Sequence, residues 1–199
     1  MRRTCSECPK PIPIGRRSDA AYCSPACRVR AHRRRTADAI PQEMRSADRW
    51  MRYRLVPRAG RVTKVPTQID GRQASSTDSR TWSTYSEAKA STVGNGLGFA
   101  LGENVGCIDL DHAIVDGVVE PWAQAILDAA PGTYVEVSQS EEGIHIFGLL
   151  AEGPGRNLRS SGRTVEVYSA GRYIAVTGRR FGDAPSRLAD LGGLVSSLL

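Results

Sequence analysis

From Leu97 onward the chain changes its hydrophobic period several times, and each change marks an element. GLGFALGENVGCIDLD carries two short apolar runs and ends on an acidic pair, which predicts strands. VVEPWAQAILDAA has apolar positions three and four apart, the spacing of a helix. TYVEVS, GIHIFGLL, RTVEVYS and RYIAVTG are short and rich in β-branched and aromatic residues, so four more strands are expected. SRLADLGGLVSSLL predicts a terminal helix. Upstream, RWMRYRLVPRAGRVTKVPTQIDGRQASSTDSRTW alternates apolar runs with Gly, Pro, Asp and Ser, which suggests strands and loops. TWSTYSEAKAST then suggests a helical turn opening at a serine. The order of elements predicts an α+β domain, a mostly antiparallel sheet with helices on one face.

The first 35 residues follow none of these patterns. Four of the five cysteines lie there, PKPIPIG is punctuated by proline and glycine, and the segment ends in arginines. A small module at 1–35, a linker at 36–46 around Pro41, and a larger domain at 47–199 are therefore expected. Cys5 and Cys8 form a C-x2-C pair and Cys23 and Cys27 a C-x3-C pair, a spacing that suits a tetrahedral structural Zn2+. His32 is an alternative to Cys27. The formal charge of +6 is concentrated at Arg28, Arg30, Arg33, Arg34 and Arg35, which suits a phosphate-rich partner, although a solvated helix end would also carry such a run. No run approaches the ~20 apolar residues of a membrane span, and the N-terminus lacks the apolar core of a secretion signal. A soluble, intracellular protein with no membrane partner is expected.

Asp109 and Asp111 end the run VGCIDLD. With a side-chain period of two they share a face, while Ile108 and Leu110 point the other way. Two neighbouring carboxylates repel one another unless a cation intervenes, which suits a divalent metal held by hard oxygen ligands. A turn or helix cap would read the same way from D-x-D alone. Two later runs present matching polar positions among apolar ones: His145 between Ile144 and Ile146, and Glu166 between Val165 and Val167. If their strands neighbour that of Asp109, one surface carries all four. Cys107 is expected to be a buried thiol, His112 to bond locally, and Trp50, Trp82 and Tyr85 to be core aromatics.

An apolar strand ending in IDLD, then GIH, then VE, in that order, resembles the archaeo-eukaryotic primase superfamily. The stretches GRVTKVPT, TWSTYSEA, GLGFALG, TYVEVSQSEEGIHI and VEVYSAGRYIAVTG are similar to the bifunctional primase-polymerase domains of phages and plasmids, over Trp50 to about Gly178. The resemblance implies a catalytic core built on an RRM-like antiparallel sheet flanked by helices. It implies template-directed nucleotidyl transfer, with Asp109, Asp111 and Glu166 holding two Mg2+ or Mn2+ ions about 3.5–4 Å apart. His145 and Arg172 would meet the triphosphate, Ser138 and Ser140 would orient His145 or touch phosphate, and Lys64 is a weaker phosphate candidate. The implied partners are a single-stranded DNA template, a primer, a dNTP or NTP and a replicative helicase in trans, since no P-loop GxxxxGK[ST] is present to supply one in the same chain. The implied setting is the cytoplasm of a bacterial host carrying the phage or plasmid. One departure stands out: where such domains read S-x-S-G-x-G-x-H, this chain reads SQSEEGIH, with Glu141 in place of the first glycine. A protein that binds DNA or nucleotide without chemistry, and a metal-dependent nuclease, are the alternative readings.

Overall fold

A computed structural model describes residues 3–13, 15–17, 19–36, 39–58, 60–160 and 162–198, the side chains of 31–36 excepted. The chain divides into two compact units, Met1–Asp38 and Ala39–Leu199.

In the first unit a bridge between Thr4 and Pro11 closes the turn that holds Cys5 and Cys8. Helix α1 (Pro25–Thr36) carries Cys27 in its first turn. Cys5, Ile12 and Cys27 are the buried residues of a small cluster against which Ala20 and Tyr22 pack. So few apolar groups cannot offset the entropy of ordering the segment, and the sulfurs must supply the rest.

The second unit contains, in chain order, α2 (Gln42–Arg45), β1 (Trp50–Arg58), β2 (Arg61–Thr67), a 3-10 turn (Ser79–Thr81), α3 (Tyr85–Ala90), β3 (Gly96–Ala100), β4 (Val105–Asp111), β5 (Ile114–Val115), β6 (Val118–Val119), α4 (Pro121–Ala129), β7 (Tyr134–Val137), β8 (Ile144–Leu149), β9 (Arg156–Ser160), β10 (Arg163–Tyr168), β11 (Tyr173–Val176) and α5 (Gly192–Leu198). The architecture is mixed α and β, as the sequence pattern predicts. The single sheet expected is instead two, a four-stranded sheet in the order β11-β3-β1-β2 and a five-stranded sheet in the order β7-β8-β4-β10-β9, beside a short β5-β6 hairpin. The cause is β11, which leaves β10 and pairs antiparallel with β3.

The five-stranded sheet buries both faces differently. On one face Ile108, Leu110, Ile144, Ile146, Val165 and Val167 pack beneath α4 and α5. On the other face Tyr134, Phe147, Cys107 and Tyr168 lie side by side across four strands. They pack with Trp50, Phe99, Ile174 and Val176 of the four-stranded sheet and with Leu101, which directly follows β3. Trp50 is fully buried, its ring 4.8 Å from that of Tyr85 and 5.0 Å from that of Phe99. Trp82 packs in a third cluster with Met51 and Ala74, under the guanidinium of Arg49.

Three local expectations change. Residues 39–46 of the expected linker belong to the second unit, because Ile40 and Met44 are buried in its core. Helix α3 opens at Thr84 rather than a serine, in a capping box with Glu87. The terminal helix begins only at Gly192, whose N–H is accepted by Asp190 at 2.7 Å. The preceding residues stay out of the helix, the carbonyls of Arg187 and Ala189 accepting the N–H groups of Tyr134 and Leu149.

Packing against the segment that leads into α5 is tight at Gly148, where an added Cβ would lie 2.5 Å from the carbonyl oxygen of Ala189 and from Leu191 Cγ. Backbone cannot step aside as a flexible side chain can. Gly148→Ala is expected to cost about 1–3 kcal/mol, measured as a lower urea midpoint at unchanged slope.

Candidate active site

The polar row lies one step along the face that carries Tyr134, Phe147, Cys107 and Tyr168. Strand pairing sets Glu136 opposite His145, His145 opposite Asp109, Asp109 opposite Glu166, and Glu166 opposite Asn157. Directly opposed side chains in antiparallel sheets stand about 4.5–5.5 Å apart at Cβ. Asp111 follows two residues on, opposite Thr164, on the same face. The structure thus brings Asp109, Asp111, His145 and Glu166 together.

Within the row, His145 Nε2 is 3.7 Å from Asp109 Oδ1, and Nδ1 is 3.0 Å from Glu136 Oε1. Glu166 is held by the amide of Asn157 on one oxygen and lies 3.5 Å from Arg172 Nη2 on the other. The Arg172 guanidinium rests over the ring of Tyr168. A cleft of about 630 Å3 opens above, lined by Asp109 and His145 on one side and by Arg61, Lys64, Ser76 and Arg172 around it. The Lys64 carbonyl accepts from the Tyr173 hydroxyl at 2.7 Å, which fixes that strand over the cleft.

Burial pushes Asp109 above its ordinary value of 3.8, and the Glu166 carboxylate adds to the rise while His145, Lys64 and Arg172 oppose it. Asp111 is raised by burial and then by Asp109. Burial is the larger cause in both, and the smaller one, repulsion between carboxylates, is the part that a divalent cation held by oxygen ligands would relieve. Among the described residues, however, their oxygens do not close as tightly as the sulfurs of the first unit. Cys107 is fully buried, and burial raises its thiol well above the ordinary range.

Ser138 and Ser140 serve the turn between β7 and β8. The Ser138 hydroxyl lies 3.0 Å from that of Ser140 and accepts from Gly143 N–H at 3.1 Å. The orienting contact to His145 comes from Glu136. Glu141 adopts φ +69, the conformation glycine favours, which accounts for a glycine at that place in similar domains. Its carboxylate is held by Arg179, whose other nitrogen donates to the Ser138 carbonyl, so the added charge is paired. His112 lies 3.4 Å from Glu142, a local contact.

Glu136 escaped the sequence reading. Its signal was the one that singled out Glu166, an acid between two valines in an alternating run. Only the length of the β7–β8 turn, which sets Val137 opposite Ile144, places it beside His145. Asn157 was missed because β9 is a polar edge strand with no apolar alternation.

In the first unit the ligand atoms of Cys5, Cys8, Cys23 and Cys27 all lie within 4.8 Å of one another, with Cys8, Cys23 and Cys27 sulfurs 3.5–3.7 Å apart. A tetrahedron of thiolates about 2.3 Å from Zn2+ has edges of about 3.8 Å, so the cluster suits a structural zinc site. The N–H groups of Glu7 and Cys23 donate to Cys5 Sγ. The hydroxyl of Ser24 and then the guanidinium of Arg30 draw Cys27 down to about 6, toward the thiolate a metal needs. Arg30 is therefore turned to Cys27, 3.1 Å away. Arg28 lines a groove of about 400 Å3 with Arg16 and Arg17. The side chains of His32, Arg33, Arg34 and Arg35 lie outside the described residues.

No protein-family profile matches the chain. Over 132 residues it is 36% identical to the DNA Primase-polymerase of Nitratiruptor phage NrS-1, covering 61% of this chain and 18% of the phage protein. The chain is homologous to a phage DNA primase-polymerase. It spans about a fifth of that relative's length. No helix among the described residues is long and apolar enough to cross a membrane.

Two outcomes follow from this geometry. Because the folded pKa of Asp109 is raised, its ionisation costs the metal-free fold stability above that pKa, and the cost disappears as pH falls through it toward 3.8. Asp109→Asn should therefore raise metal-free stability near pH 7 and lose that advantage on acidification, read from unfolding curves across pH. Elemental analysis of protein purified under reducing conditions should find one zinc per chain. Its removal by chelator should unfold the first unit and leave the main melting transition of the second in place, whereas protein without zinc would refute the assignment.

Proposed function

We propose that the second unit is a primase-polymerase catalytic domain of the archaeo-eukaryotic primase type, extending DNA on a single-stranded template by nucleotidyl transfer. The observation that carries this reading is the cross-strand row of His145, Asp109 and Glu166 beside Asp111, of which Asp109 and His145 line a cleft rimmed by Arg61, Lys64 and Arg172. Homology to a phage primase-polymerase supports it.

Asp109, Asp111 and Glu166 would hold Mg2+ or Mn2+. Bound there, such ions supply charge neutralisation at the reacting phosphate and acidify the attacking 3′-hydroxyl. The remaining work falls to the protein. His145 presents Nε2 to the cleft, within reach of a triphosphate oxygen. Arg172, kept in place by Tyr168 and Glu166, offers a planar donor pair to the same anion, and Lys64 adds a cation from the facing hairpin. The β7–β8 turn, tied by Ser138 and by the pair of Arg179 with Glu141, holds the loop that leads into His145. The cysteine module, with Arg28 beside Arg16 and Arg17, fits a DNA-contacting accessory. A phage or plasmid replication protein working in a host cytoplasm, with dNTP or NTP, a primer and a helicase in trans, is the setting this reading entails.

A binding protein without chemistry is the second reading, favoured by the looser approach of the acidic oxygens. Incubation with template, labelled primer, nucleotides and Mn2+ separates the readings: longer products support polymerase activity, unchanged primer supports binding alone, and shorter products indicate a nuclease. Asp109→Ala combined with Asp111→Ala is expected to abolish extension while leaving the melting temperature of the metal-free protein equal or higher. Arg172→Ala should raise the nucleotide KM by roughly ten- to a hundredfold, the loss of one charge-assisted hydrogen bond. Extension at the wild-type rate by the folded double variant would refute the site.

A further inference from the structure

Glu136 is 0% exposed, and the groups that hold it are hydrogen-bond donors. The Tyr134 hydroxyl donates to Oε2 at 2.8 Å and Gly178 N–H at 2.9 Å, while Thr177 N–H reaches both oxygens at 3.1 Å. That leaves the side of Oε1 facing His145 Nδ1, 3.0 Å away. The imidazole, 3% exposed, is flanked edge-on by Phe147 and has Nε2 toward Asp109. Because Thr177 and Gly178 directly follow β11, whose Ile174 and Ala175 line the cleft, the same carboxylate ties His145 to the facing wall.

We propose that Glu136 is the positioning residue of His145: it accepts a proton carried on Nδ1, which fixes the ring's tautomer and turns Nε2 to the cleft. An imidazole nitrogen donates or accepts according to its partner, and the partner here offers an acceptor. A carboxylate behind a functional histidine fixes the tautomer in the same way at metal sites, where its loss costs about 10–100-fold. The kinetic consequence rests on the proposed role of His145 in nucleotide binding, but the tautomer does not.

Glu136→Gln makes the inference testable. Glutamine has one acceptor oxygen, and the three donors at Oε2 claim it. The amide nitrogen then faces Nδ1, which must accept, so the ring proton moves to Nε2. Long-range 1H–15N spectra of histidine-labelled full chain resolve this, since the sequence has three histidines and the signals of His145 are those missing from His145→Gln. The expected result is a proton on Nδ1 in the wild type, whether or not Nε2 also carries one, and on Nε2 alone in Glu136→Gln. A wild-type ring protonated at Nε2 alone, or a tautomer unchanged by Glu136→Gln, overturns the proposal. In primer extension, Glu136→Gln should raise the nucleotide KM about 10–100-fold with a smaller change in kcat. Tyr134→Phe, which removes one donor but keeps the carboxylate, should lower stability and leave both tautomer and KM near wild type. Equal KM effects in the two variants would mean a merely structural role and overturn the proposal. If Glu136→Gln does not fold, the wild-type spectrum decides alone. If the wild type adds no nucleotide, the functional reading fails while the spectra still decide the tautomer.

Discussion

Everything in the second unit rests on the register of five antiparallel strands. In a pleated sheet a slip of one residue would exchange the two faces of a strand, so the pairing Glu136–His145–Asp109–Glu166 holds only while every strand keeps its place. The register is itself enforced by burial. The neighbouring row Tyr134–Phe147–Cys107–Tyr168 packs on the four-stranded sheet, and the opposite face packs on α4 and α5. The polar row is thus set in place by apolar rows on the same strands.

Those charges are arranged with consequence. Asp109 and Asp111 are held above the usual carboxylate range first by burial and then by a neighbouring carboxylate, a strain on the metal-free fold. Glu136, deeper and satisfied by donors, belongs to the frame. Cations stand on the opposite wall and at the mouth, where Lys64 and Arg172 offset the acids. The cleft thus has Asp109 on its floor and cations at its rim, the charge pattern on which the proposed nucleotide site rests.

The first unit obeys a different constraint. Its buried side chains are few, and two of the three are cysteines that also belong to the four-sulfur cluster. With zinc bound, ligation and core would be one object there, and loss of the ion would remove both.

The sequence by itself determined what depends on neighbours a few residues apart. The two cysteine pairs, the period-two strands around Asp109, His145 and Glu166, the helix at α4 and the burial of Cys107 were legible because cysteine spacing and side-chain alternation are local properties. The order of IDLD, GIH and VE carried the family resemblance. Tertiary structure decided the rest. That β11 crosses to a second sheet follows from which edge was free to pair. The role of Glu136 depends on a turn length and on backbone from residues 177–178, some 40 positions away. Residues Arg187–Leu191 gave up helix because strand ends needed partners and Leu188 and Leu191 needed burial. Which of several alternating acids stands beside the histidine is a matter of register, and register is set by burial across the whole sheet, which no short window of sequence contains.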